Sequence, residues 1–178
     1  DITGDWGDSM KILICDDQAV VRDGLELLLK LEKDFKVVSC ASDGAEAVEL
    51  TARESPELVL MDLKMPRMNG IHATRQIARQ FPTVKVVVLT TYDGDEWVFD
   101  AIRAGASGYL LKDSDGAEIV AAVRGAAVGE VRIDPAVAGK VLACSGLQHP
   151  GLQCRAAGCT QQQPKQHFGA GVPAEHAA

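Results

Sequence analysis

Short apolar runs alternate with amphipathic segments along most of this chain. Four runs are continuously apolar and have the length of buried strands. They are Ile12-Leu13-Ile14-Cys15, Leu58-Val59-Leu60-Met61, Val86-Val87-Val88-Leu89 and Tyr109-Leu110-Leu111. Strand-like and helix-like segments alternate from Lys11 to about Val128, and this order is typical of βα units around a parallel sheet.

Apolar residues at helical spacing predict the helices between these strands. The apolar faces of the first, second, third and fifth predicted helices are, in that order, Val21, Leu25, Leu28 and Leu29; Ala45, Val48 and Ala52; Ile71, Thr74 and Ala78; and Ile119, Ala122, Val123 and Ala126. A fourth helix is predicted over about Trp97 to Arg103, and Asp43 is the predicted N-cap of the second. We predict five strands and five helices in total, four of the strands being those named above, and this count fits an α/β, flavodoxin-like, doubly wound parallel sheet of order 2-1-3-4-5, with helices on both faces.

The composition changes along the chain and predicts four zones. Residues 1–9 are polar and precede Met10, so we interpret them as vector-derived. Residues 10–128 form the predicted folded domain, and residues 129–143 a linker or helical extension. Residues 144–178 are rich in Gln, Gly, Ala and His and contain few large aliphatic residues. We expect this tail to be disordered or non-native, because it offers little apolar surface to offset its ordering entropy.

Length and charge restrict the class of protein. The chain has 178 residues, is 47% hydrophobic and carries a formal net charge of −7, which favours one medium domain. The acidic balance argues against unaided binding to nucleic acids or to an anionic membrane surface. The chain shows neither an apolar run of membrane-spanning length nor a signal-peptide pattern, so we predict a cytoplasmic protein without membrane contact. Cys15 and Cys40 are interpreted as small buried hydrophobes.

Polar residues follow the predicted strands where each strand ends. The first is followed by Asp16 and Asp17, the next by Asp62, and the later ones by Thr90 and Lys112. The carboxyl ends of parallel strands are where open α/β sheets place their sites. With the first and third strands adjacent, the three carboxylates should converge and offer the oxygen ligands that Mg²⁺ prefers. The alternative is that each aspartate only caps the helix after its strand.

This set of three acids, a hydroxyl and an amine at strand ends resembles the receiver domain of two-component response regulators along Lys11 to Val128. The amino-acid sequence from Asp95 to Asp113 resembles the NarL/LuxR-type subfamily in particular. The resemblance implies that Asp62 is the phosphoacceptor. It also implies that Asp17 and Asp62 bind Mg²⁺ directly, Asp16 through water, and Lys64 through its backbone carbonyl.

The same resemblance implies roles for residues of the later strands. Lys112 would supply a second positive charge to the phosphoryl group, and Thr90 would offer its hydroxyl to a phosphoryl oxygen. Thr90 and Tyr109 would form the switch, with Tyr109 turning inward when the threonine is drawn to the phosphate. The alternatives are that Lys112 is a solvated lysine, that Thr90 is only a β-favouring residue and that Tyr109 is a half-buried strand tyrosine. The chain departs from many receivers at Asp113, where they carry proline.

The resemblance further implies a regulatory protein that catalyses only its own aspartyl phosphorylation and dephosphorylation. Its expected partners are a cognate sensor histidine kinase and, after phosphorylation, a second copy of itself. NarL/LuxR-type regulators bind DNA through a C-terminal helix-turn-helix domain, which we do not find in this sequence. The main alternative is a stand-alone receiver that acts by protein–protein contact. The Asp16-Asp17 loop argues against a flavin-binding electron carrier, whose first loop must bind an anionic phosphate. Lys64 argues against an aspartyl phosphatase, because such enzymes carry a second aspartate at that position.

Overall fold

The computed structural model describes residues 9–91 and 95–133, with the side chain of Asp95 excepted. Its elements in chain order are β1 (Met10–Cys15), α1 (Ala19–Lys30), β2 (Phe35–Ala41), α2 (Gly44–Glu54), β3 (Leu58–Met61), α3 (Gly70–Gln80), β4 (Lys85–Thr90), α4 (Asp95–Ala104), β5 (Gly108–Leu111), α5 (Gly116–Ala127) and β6 (Arg132–Ile133). The predictions for residues 1–8 and 134–178 lie outside the described residues.

All the strands form one parallel sheet of order β2-β1-β3-β4-β5-β6. This confirms the predicted flavodoxin-like order 2-1-3-4-5, and the described residues contain six strands where five were predicted. The sixth strand pairs Arg132 with Gly108 and Ile133 with Tyr109. Gly108 permits this approach, because a Cβ there would lie 3.1 Å from the carbonyl oxygen of Arg132. A strand of two residues is too short to show a period in the sequence.

The hydrophobic core lies on both faces of the sheet. Ile12 and Ile14 pack on one face with residues of α1 and α5, whereas Leu13 and Cys15 pack on the other with α2 and α3. A third cluster joins α4 to the far end of the sheet around Tyr109. Successive residues of a strand point to opposite faces, so a strand covered by helices on both sides must be apolar throughout. This is the physical reason for the continuous apolar runs.

The predicted helix faces hold for α1 and α5 but not for α2. Leu25 and Leu29 are buried on α1, and all four predicted residues are buried on α5. On α2, however, Ala45 and Ala52 are exposed and Val48 is only partly buried. The residues that α2 buries are Gly44, Ala47, Leu50 and Thr51. Alanine is common on both faces of helices, so the alanines did not identify the buried face; the single leucine was the better guide.

Within the described residues, no helix combines the length and the apolar character needed to cross a membrane. The same part of the chain contains no cis peptide bond, so the Lys112–Asp113 bond is trans. The aspartate at the position where many receivers carry proline therefore adopts the ordinary peptide geometry.

Candidate functional site

Adjacent strands deliver the acidic residues to one place. β1 and β3 are paired in register, with Cys15 opposite Met61 as the last partners. Asp16 and Asp62 are the next residue on each strand, and the amide of Asp62 donates a hydrogen bond of 2.9 Å to the carbonyl of Cys15. The two aspartates therefore leave the sheet at the same level. The convergence predicted from the strand order follows directly from this register.

Asp16, Asp17 and Asp62 form a compact acidic cluster. One carboxylate oxygen from each lies within 4.8 Å of the other two. Asp16 and Asp62 are buried, with 2% and 4% of their surface exposed, whereas Asp17 is exposed. Carboxylates this close repel one another, and burial strengthens the repulsion because little solvent screens it. The cluster therefore requires a cation.

Lys112 is the protein's own cation at this cluster. Its amide donates a hydrogen bond of 2.9 Å to the carbonyl of Thr90, at the end of β4. Its ammonium nitrogen lies 2.5 Å from Asp16 Oδ2 and 3.3 Å from Asp62 Oδ2. The side chain is only 12% exposed, so the interpretation as a solvated lysine is wrong.

The charges and the burial shift two pKa values at the site. Burial raises the pKa of Asp62 above its usual value, and the charge of Asp16 adds to that rise; Lys112 and a hydrogen bond from the Thr90 side chain oppose it. Burial alone would lower the pKa of Lys112. Its hydrogen bond to Asp16 and the charges of Asp62 and Asp16 outweigh burial and raise that pKa. The ammonium is therefore held in its charged form beside the acids.

Further hydrogen bonds orient the two buried carboxylates. Asp62 Oδ1 accepts from the amide of Leu63 at 2.8 Å, and Asp16 Oδ1 accepts from the amide of Gln18 at 2.9 Å. Arg22 was not predicted at this site, yet its guanidinium donates to the carbonyl oxygen of Asp16 at 2.7 Å. Its position on α1, six residues after Asp16, was the only sequence signal for this contact.

The remaining predicted residues lie on β4, on β5 and in the β3–α3 loop. Thr90 is fully buried at the end of β4. Tyr109 is also fully buried, packed with Val88 and α4, so the interpretation as a half-buried tyrosine is wrong. Lys64 lies two residues after Asp62 in the β3–α3 loop, with its side chain exposed. The structure thus brings together Asp16, Asp17, Asp62, Lys112 and Thr90, whereas Tyr109 lies within β5 and packs against α4.

The sequence and the fold match known proteins. Residues 12–124 match the family described as response regulator receiver domain. The transcriptional regulatory protein LiaR of Bacillus subtilis is 46% identical over 142 residues, which cover 80% of this chain and 66% of LiaR. The chain therefore spans less than two thirds of that relative.

Two solved structures resemble the whole described domain. The LuxR-family two-component response regulator from Aurantimonas is 33% identical, with a TM-score of 0.72, and the match covers 76% of this chain and 97% of that one. The signal receiver domain of the putative response regulator NarL from Mycobacterium tuberculosis is 34% identical, with a TM-score of 0.66 and coverage of 69% and 99%. With the strand-end acids, the lysine and the threonine in one cluster, this chain belongs to the response regulator receiver family, in its NarL/LuxR branch.

Proposed function

We propose that this chain accepts a phosphoryl group on Asp62 from a histidine kinase, in a reaction that depends on Mg²⁺. The observation that carries the proposal is the position of the Asp62 carboxylate, which lies at the end of β3, 3.3 Å from the Lys112 ammonium and within 4.8 Å of oxygens of Asp16 and Asp17. Asp62 Oδ1 is occupied by the amide of Leu63. Asp62 Oδ2 lies 3.3 Å from the ammonium nitrogen of Lys112, and the Thr90 side chain also donates a hydrogen bond to this carboxylate.

The donor set of the cluster fits a magnesium ion. Three carboxylate oxygens converge there, and Mg²⁺ prefers oxygen ligands. Asp17 and Asp62 would bind it directly and Asp16 through water, and the backbone carbonyl of Lys64 would add a ligand. When bound, the ion supplies positive charge that offsets the repulsion between a carboxylate and an incoming phosphoryl group. A cluster with Lys112 as its one ammonium remains net negative, which favours such an ion.

The side chains of Asp62, Lys112 and Thr90 carry out the phosphotransfer itself. The Asp62 oxygen forms a bond to phosphorus while the phosphorus–nitrogen bond of the kinase's phosphohistidine breaks, and the imidazole leaves with that electron pair. The ammonium of Lys112 stabilises the negative charge on the phosphoryl oxygens. The hydroxyl of Thr90 donates a hydrogen bond to one of these oxygens. The products are an aspartyl phosphate and a free histidine, and the protein is proposed to catalyse only its own aspartyl phosphorylation and dephosphorylation.

Phosphotransfer from a small donor tests this proposal. Incubation with acetyl phosphate and Mg²⁺ should add one phosphoryl group, labile to hydroxylamine, which intact-mass spectrometry detects. Asp62→Asn should abolish the modification, and Asp23→Asn, which changes an exposed acid on α1, should leave it intact. Undiminished modification of Asp62→Asn would exclude Asp62 as the acceptor.

The output we propose is control of transcription. LiaR is a transcriptional regulatory protein. In the proposed output, DNA would be bound by an output domain that does not lie among the described residues. We take residues 10–133 as the receiver in place of the predicted 10–128, because β6 pairs with β5. The cytoplasmic location stays a prediction. A stand-alone receiver acting by protein–protein contact is the alternative, and it would use the same site.

We also propose that phosphorylation favours a homodimer through α1. Val20 and Leu27 on α1 and Leu31 at its C-cap share one side of the helix, and 79%, 69% and 79% of their surface is exposed. Asp23 and Gly24 lie between Val20 and Leu27 on this side, so the apolar residues form a face with a polar position in it. The edge of β5, in contrast, is covered by β6. These features favour a surface that includes α1 and α5 over one that includes α4, β5 and α5.

A further inference from the structure

Asp43 connects three parts of the structure near the acidic cluster. Its carboxylate is buried, and Oδ1 accepts hydrogen bonds from the amides of Ala45 and Glu46 at 2.9 and 3.0 Å, which caps α2. Its backbone carbonyl accepts a hydrogen bond of 3.3 Å from the thiol of Cys15, at the end of β1. The second carboxylate oxygen forms an ion pair with Arg67, in the β3–α3 loop. Asp43 thus joins that loop to β1 and α2.

The β3–α3 loop contacts the same region at two further points. The amide of Gly44 donates a hydrogen bond of 3.0 Å to the carbonyl of Met68, and a Cβ on Gly44 would lie 2.6 Å from that oxygen. The sulfur of Met65 lies 3.4 Å from the sulfur of Cys15, and Met65 is buried. The loop that begins at the acidic cluster is therefore packed closely against the turn before α2.

Arg67 has an unusual backbone conformation in this loop. Its φ is +62°, in the left-handed region that non-glycine residues rarely adopt. Such a conformation persists where the surrounding structure stabilises it. The Arg67 side chain is 73% exposed, whereas that of Asp43 is only 1% exposed, so the guanidinium approaches a buried carboxylate from the surface. A buried carboxylate without a cation is costly, and this cost favours the loop conformation that keeps Arg67 in place.

We propose that the ion pair between Arg67 and Asp43 positions the β3–α3 loop for metal binding, which makes Arg67 a positioning residue. The proposal rests on the function proposed above. Lys64, whose backbone carbonyl is the proposed ligand, lies in this loop three residues before Arg67, and Asp62 is the residue that opens it. Neither Arg67 nor Asp43 is one of the acids of the cluster. Groups of this kind orient metal ligands without touching the ion.

Titration of the full chain with MgCl₂ alone, followed by calorimetry, tests the proposal. Arg67→Ala should raise the dissociation constant for Mg²⁺ by about tenfold, the lower end of the effect expected for groups that orient ligands. Asp43→Asn, which keeps a good N-cap residue, should do the same. The double variant should bind Mg²⁺ no more weakly than either single variant, because the two side chains act through one contact. Arg67→Lys should recover part of the affinity.

A charge-matched control separates position from net charge. Arg79→Ala removes the same charge from the exposed end of α3, so it should leave the dissociation constant unchanged. Phosphorylation by acetyl phosphate gives a second measurement. In Arg67→Ala, the Mg²⁺ concentration for half-maximal rate should rise while the rate at saturating Mg²⁺ stays that of the wild type. A general loss of folding would instead lower the maximal rate.

Three results would overturn the inference. The first is an Arg67→Ala variant that binds Mg²⁺ as tightly as the wild type, and the second is an equal loss in Arg79→Ala. The third is additive loss in the double variant. In each of these cases the wild type still binds Mg²⁺, so the proposed function survives. A wild type that binds no Mg²⁺ would overturn the proposed function together with this inference.

Discussion

Lys112 lies closer to Asp16 than to the proposed phosphoacceptor, with its ammonium nitrogen 2.5 Å from Asp16 Oδ2 and 3.3 Å from Asp62 Oδ2. The tighter ion pair therefore holds the lysine on the acid of β1, and the longer contact leaves Asp62 less firmly bound. A new partner that binds Asp62 therefore need not break the shorter ion pair between Lys112 and Asp16.

Replacement of Lys112 should destabilise the protein. Lys112→Met leaves two buried carboxylates without a cation, and the loss of one partner of a buried ion pair costs about 3–5 kcal/mol. We expect a lower free energy of unfolding in urea, in buffer with a chelator. Lys30→Met removes an exposed partner of Glu26 and should cost less than about 1 kcal/mol. Equal stability of the two variants would contradict the role of Lys112 as the cluster's cation.

The stability of an Asp62 variant should depend on pH. Burial raises the pKa of Asp62 above its usual value, so the folded protein binds this proton more tightly than the unfolded chain. Above the folded pKa, the ionised group therefore destabilises the fold. We expect Asp62→Asn to melt at a higher temperature than the wild type at neutral pH without Mg²⁺. The difference should shrink as the pH falls through the folded pKa. A wild type more stable than Asp62→Asn at neutral pH would contradict the shift.

Two glycines should respond oppositely to alanine. A Cβ on Gly70 would lie 1.9 Å from the backbone oxygen of Asp62, so Gly70→Ala must displace the end of β3. We expect a loss of at least about 3 kcal/mol, comparable with severe overpacking. Gly24 lies within α1 with no atom within 4 Å of an added Cβ. Gly24→Ala should stabilise the protein by about 0.5–1 kcal/mol through helix propensity. Urea unfolding of both variants measures the two effects.

The buried hydroxyl of Thr74 should lower the stability of the fold, and replacement of Thr74 by valine should remove this loss. It is fully buried and has no hydrogen-bond partner among the residues that the structure describes. A buried polar group without a partner costs about 1–3 kcal/mol, so Thr74→Val should raise the melting temperature. Thr51 is equally buried, but its hydroxyl donates to the carbonyl of Ala47 at 2.7 Å. Thr51→Val should therefore give no gain, and a gain of equal size there would contradict the explanation.

A charge on α1 should weaken the proposed dimer. Leu27→Glu places a carboxylate in the middle of the exposed apolar face, where a second copy would have to bury it. Sedimentation with beryllofluoride and Mg²⁺ should show a dimer of the wild type and a monomer of Leu27→Glu. Val131→Glu, which changes an exposed valine outside α1, serves as the control and should still dimerise. A wild type that stays monomeric at high concentration would reject dimerisation of this chain.

The sequence by itself determined four of the six strands of the described residues, the type of sheet and the residues at the strand ends. Each of these depends on a local pattern: a strand buried on both faces must be apolar throughout, and parallel strands all end at the same edge of the sheet. Asp16, Asp62 and Lys112 could therefore be assigned to one site before any distance was known.

Only the tertiary structure decided the features that depend on contacts between distant segments. Asp43 and Arg67 are 24 residues apart, and no periodicity relates them. The preference of Lys112 for Asp16 is a matter of less than one ångström between two possible partners. The strand β6 lies so close to β5 that a Cβ on Gly108 would be 3.1 Å from the carbonyl oxygen of Arg132. A pattern along the chain specifies which face is apolar, whereas the choice among polar partners is made by packing in three dimensions.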